Sequence, residues 1–133
     1  MTLPAVIFPD TELVMTAYLR AALAPRSEPY AQTVYVANAV PSTRRDRMVT
    51  FRRDGGPRLD VVREAARLAV NVWGRTEQEA SDLARLVAAL IWAAPDGQPV
   101  CKVTQVGGAS PVPDVQPRRS MTFELIVKGS DLT

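Results

Sequence analysis

The segment from residue 66 to residue 97 constrains the fold more than any other. Thr76 and Glu79 form a T-x-x-E capping box directly after Gly74-Arg75, the pattern that satisfies free amides at a helix start. Ala80, Leu83, Ala84, Val87, Leu90 and Ile91 then follow the i, i+3, i+4, i+7 spacing of a buried helical face. Pro95-Asp96-Gly97 closes the helix. Just upstream, Leu68, Val70 and Val72 alternate along a strand over 66–73. A strand that feeds straight into an amphipathic helix calls for a sheet with that helix packed against it.

The rest of the chain supplies the other elements. Asp10 is placed to cap a first helix over 10–24, with Glu12 in its first turn and Pro25 as its stop. The face expected to be buried carries Leu13, Val14, Ala17, Ala21 and Ala24. A linker over 25–32 precedes a β-branched and aromatic strand over 33–39. A polar turn, Pro41 to Asp46, leads to a second strand near 47–53, which Asp54-Gly55-Gly56-Pro57 ends. Residues 58–65 fit either an irregular turn or the start of the next strand. Two strands follow the second helix, near 100–106 and 120–128; in the latter Met121, Phe123, Leu125 and Val127 alternate with Thr122, Glu124, Ile126 and Lys128. The predicted order is α-β-β-β-α-β-β: a single α+β domain over 1–133, a mostly antiparallel sheet with both helices on one face. Residues 107–118, with three prolines, are expected to form a long loop of the kind that often binds partners.

Composition narrows the function. With 133 residues, 47% hydrophobic and 23% charged, the chain is globular and sized for one core. It has no histidine and one cysteine, Cys101. A histidine base, a Ser-His-Asp or Cys-His arrangement, a Cys/His zinc site and an intrachain disulfide are therefore excluded. The N-terminal stretch lacks the basic start and apolar run of a signal peptide, and Leu86 to Pro95 is about half a membrane span. A cytoplasmic chain is expected.

The carboxylates assemble no recognisable site. Asp54, Asp60 and Glu64 fit a solvated loop, while Glu77, Glu79 and Asp82 fit the dipole at a helix start. Gly55-Gly56 and Gly107-Gly108 lack the context of phosphate loops, and Ser110 sits in no G-x-S-x-G elbow. Cys101, read in the register of Val103, is expected as a small core residue. The net charge is +2, from 16 basic and 14 acidic residues, yet Arg44, Arg45, Arg47, Arg52, Arg53 and Arg58 lie close together. On a hairpin they make a local basic patch. Spacing alone favours a solvated hairpin that resists edge pairing; the alternative is an interface with an acidic partner or passing nucleic acid.

Three stretches resemble the tail terminator proteins of long, non-contractile-tailed phages of actinobacteria. They are Arg53-Asp54-Gly55-Gly56-Pro57-Arg58, the strand Ala66 to Gly74, and the helix start Thr76 to Ala84. The opening Phe8-Pro9-Asp10 and the closing strand also agree, so the resemblance covers nearly the whole chain. It carries no catalytic signature.

The resemblance implies structural work rather than catalysis, with no cofactor and no metal. Such proteins form a hexameric ring on the finished tail tube, stop its polymerisation and offer the head connector a docking surface. The expected partners are further copies of the chain, the major tail tube protein and a head-completion protein, with no membrane. Genome DNA passes through the lumen without specific binding. Location in the virion, at the head-tail interface, is implied after assembly in the host cytoplasm. Arg44, Arg45, Arg47, Arg52 and Arg53 are expected to face the lumen or the tube. Ser110, Pro111, Val112, Pro113, Asp114 and Val115 are expected to contact a neighbouring subunit or partner. Another neck or head-completion protein, or a DNA-binding module, are the alternatives.

Overall fold

Strand β4 (Arg63–Trp73) runs through the middle of a five-stranded sheet. It pairs antiparallel with β3 (Met48–Arg53) on one side and β6 (Arg118–Lys128) on the other. The edges are β2 (Tyr35–Ala37) and β5 (Val100–Val112), which gives the order β2-β3-β4-β6-β5. A small ribbon, β1 (Val6–Ile7) paired with β7 (Ser130–Asp131), brings the two ends of the chain together. The computed structural model describes residues 3–132.

Alternation builds the core. Ala66, Leu68 and Val70 of β4 meet Leu125, Phe123 and Met121 of β6 in register, and all are buried. Against this face lie α1 (Thr11–Leu23) and α2 (Glu77–Trp92), whose Met15, Leu19, Leu23, Leu83, Val87 and Ile91 share one cluster with it. Burying each such side chain contributes about 1.5–3 kcal/mol. The fold is α+β, with both helices on one face of a mostly antiparallel sheet. The opposite face carries Thr50, Arg67, Asn71, Thr122 and Glu124 and has no helix over it.

Both helices start where expected. Asp10 Oδ1 accepts from the Leu13 amide at 3.3 Å, and Thr76 Oγ1 accepts from the Glu79 amide at 3.1 Å. The α2 face is also as expected, with Leu90 half-buried. The α1 face is only partly so: Val14 packs against the core, but Leu13 is 57% exposed, Ala17, Ala21 and Ala24 are exposed, and Met15, Leu19 and Leu23 turn inward. Three large side chains at i, i+4, i+8 bury more apolar area than a stripe of alanines, so they set the rotation of the helix.

Three further expectations are corrected. First, β2 and β3 pair parallel, so residues 38–47 are a crossover connection and not a hairpin turn. Second, 107–118 is not a long loop: β5 continues to Val112, β6 begins at Arg118, and only 113–117 turn. Glycine and proline survive there because β5 is an edge strand, and register shifts between Gln105 and Ser110 absorb them. Third, Cys101 is exposed. A register shift between Val100 and Lys102 makes Cys101 the extra residue of a bulge, while Val100 and Val103 both reach the core. The ambiguous stretch 58–65 divides, with a turn before Arg63 and strand β4 from there on.

Candidate functional site

The connection 38–47 and the turn 113–117 pack against each other at one end of the sheet. Arg44 Nη1 donates to Gln116 Oε1 at 3.1 Å, and Gln116 Nε2 donates to the Arg45 carbonyl at 2.8 Å. These are two separate surfaces in the sequence; joined by contacts 72 and 71 residues apart, they form one.

Asp114 is the hub of this junction. Its carboxylate accepts from Trp73 Nε1 at 3.0 Å and lies 3.6 Å from both Arg44 and Arg118. The Trp73 hydrogen bond, with the Val115 amide and the two guanidiniums, holds its carboxyl below the usual range against some desolvation. Arg118 donates from Nε to Asn71 Oδ1 at 3.0 Å and lies 5.4 Å over the Trp73 ring. Between these groups and the bare sheet face opens a cleft of about 230 Å³. Thr50 and Arg52 line it as well.

The predicted arginines do not form one patch. Arg44 belongs to the junction, and Arg45 lies 5.5 Å over the Tyr35 ring. Arg47 grips Glu79 from Nε at 2.8 Å and from Nη2 at 3.4 Å, and donates from Nη1 to the Gln32 carbonyl. Burial pushes the Glu79 carboxyl up, but Arg47 and the Arg75 amide outweigh it and hold it low. Arg53 lies at the far end of β3, where it pairs with Glu64 at 2.8 Å and donates to the Gly55 carbonyl. Arg52 has no carboxylate partner among the described residues, and it alone of this pair lines the cleft. Arg58 sits 4.8 Å over Phe8 and donates to the Val61 carbonyl.

The six residues predicted for a subunit contact are split. Ser110, Pro111 and Val112 are strand residues paired with Ser120, Arg119 and Arg118. Pro113, Asp114 and Val115 lie in the turn, where Asp114 points back into the molecule and Val115 is 84% exposed. Sequence reasoning missed Asn71 and Trp73, and it held Gln116 and Arg118 only as part of the 107–118 segment, without a role of their own. The available signal was Trp73, a strand-end indole whose N–H needs an acceptor. Its acceptor lies 41 residues away, beyond any local pattern.

Among the described residues, no three His, Cys, Asp or Glu side chains come together to hold a metal ion. No helix among them is long and apolar enough to cross a membrane. No protein-family model and no curated protein matches the chain.

Proposed function

We propose that this protein is a phage tail terminator: a subunit of a hexameric ring that caps the tail tube, stops its polymerisation and receives the head connector. The observation that carries this reading is the one-sided layering. Both helices cover one sheet face, and the other has no helix over it and carries polar side chains such as Arg67, Thr122 and Glu124. A closed ring needs two different patches on each subunit. The two ends of the sheet offer them. One end presents Val115 on a turn braced by Asp114; the other has a hollow of about 760 Å³ beside the exposed Ile7 and Val62.

The tube-facing role rests on Arg45 and Arg52, because Arg47 and Arg53 are engaged in holding the fold. Reversing Arg47 to probe tube binding therefore confuses contact with folding. Deleting 109–116 does the same, since it removes paired β5 residues and Asp114. Val115→Asp is the cleaner variant. Pairing of Arg44, Arg47 and Arg53 with carboxylates weakens the case for a DNA-binding module.

Electron microscopy of the purified protein tests the reading. Six-fold rings are expected for the natural chain, and a folded protein without rings for Val115→Asp. In infected cells, loss of the gene should leave abnormally long tubes. Leaking heads beside normal tails would instead assign a head-completion role, and normal particles would overturn both.

A further inference from the structure

We infer that the cleft at the 38–47/113–117 junction is a receptor for one carboxylate side chain of a partner protein. Its floor is Thr50 and Asn71, directly paired across β3 and β4. Asn71 Oδ1 is taken up by Arg118 Nε, which leaves the Asn71 amide hydrogens to donate. Thr50 is only 3% exposed and lines the cleft, so its side chain sits at the cleft's base. Arg52 lines the same cleft without a carboxylate partner.

The charge count points the same way. Arg44, Arg52 and Arg118 line the cleft against a single carboxylate, Asp114, which is shared by Arg44 and Arg118. The cleft is thus rich in donors and short of acceptors, and a carboxylate brings acceptor sites for several donors at once. At about 230 Å³ the cleft is smaller than a typical small-molecule pocket but takes a side chain. A phosphodiester suits it less: it carries a sugar on either side, and Asp114 on the wall opposes a dense negative charge. The inference stands on the free chain and is independent of ring formation.

Trp73 provides the readout. It lines the cleft, and the only other tryptophan is the exposed Trp92. In a Trp92→Phe background, the indole emission is followed at low ionic strength while acetyl-Gly-Glu-Gly-amide, its Gln counterpart or inorganic phosphate is added. A saturable change is expected with the Glu peptide, half-complete on the order of 1 mM, and none with the Gln peptide. Arg52→Gln should weaken the Glu peptide about tenfold while leaving the urea midpoint unchanged, because among the described residues the Arg52 side chain has no carboxylate partner to lose. An equal response to the Gln peptide, unaltered binding in Arg52→Gln, or no saturable response to the Glu peptide would overturn the inference. Tighter binding of phosphate than of the Glu peptide would overturn it in favour of a phosphate ligand.

Discussion

Trp73 Nε1 donates to Asp114 Oδ2 at 3.0 Å, and this bond ties the turn of the β5–β6 hairpin to the end of the central strand. The Asp114 side chain keeps only 14% of its exposure, so the bond is shielded on most sides. It decides where the predicted interface residues stand: Val115 faces out because Asp114 faces in.

Removing the Asp114 carboxylate should therefore loosen the whole junction. Asp114→Ala is expected to cost about 1–2 kcal/mol, the net value of hydrogen bonds to a charged group reduced by partial solvent screening. Asp114→Asn isolates the charge. The folded carboxyl titrates below its usual value, so its stabilisation is complete above the ordinary carboxylate range and is lost as pH falls through the folded value. Urea unfolding should show a gap between the natural chain and Asp114→Asn that is constant above the ordinary carboxylate range and closes as pH falls below it.

Arg47 joins the start of β3 to the first turn of α2 through Glu79, with both side chains 13% exposed. Arg47→Lys keeps the charge and loses the two-pronged contact, so about 1–2 kcal/mol of stability should go. Glu79→Gln should be less than additive with it. Denaturant melts of the two single variants and the double variant measure this, and strict additivity would show that the pair is not coupled.

Gly55 and Gly56 separate backbone strain from collision. Both have positive φ, at 86° and 103°. A Cβ on Gly55 meets nothing within 4 Å, whereas one on Gly56 falls 1.9 Å from the Ala65 carbonyl oxygen. Gly55→Ala should cost about 1 kcal/mol, the price of a left-handed conformation. Gly56→Ala must also displace strand β4 and should cost at least about 3 kcal/mol. Thermal melts of the two variants should rank them in that order.

Cys101 should react with a maleimide in the native protein about as fast as in the unfolded chain, since its thiol lies outside the core. Protection that disappears only on unfolding would show that the strand is not bulged there.

The patterns that were legible are those whose cause is local. The α2 cap needs only Thr76 and Glu79, three residues apart, and the buried rows of α2 and β6 repeat within a few residues. In α1 the ends were legible from Asp10 and Pro25, but the buried face was not, because alanine suits either environment. Prolines and glycines over 107–113 signalled a loop, although an edge strand tolerates both. The hairpin imagined for the arginines failed because nothing local distinguishes a turn from a parallel crossover.

The sequence by itself determined the α+β class, the order of the main elements, and the absence of histidine chemistry. Capping, periodicity and composition act over a turn of helix or a few strand residues, so one chain read in a line displays them. Only the tertiary structure decided that Arg47 and Arg53 are engaged with Glu79 and Glu64, and that Cys101 stands outside. It also brought Arg44, Asn71, Trp73, Asp114 and Arg118 around one cleft. Those contacts join residues far apart in the chain, and which charges are spent inside the fold depends on strand order and register, which no local pattern encodes.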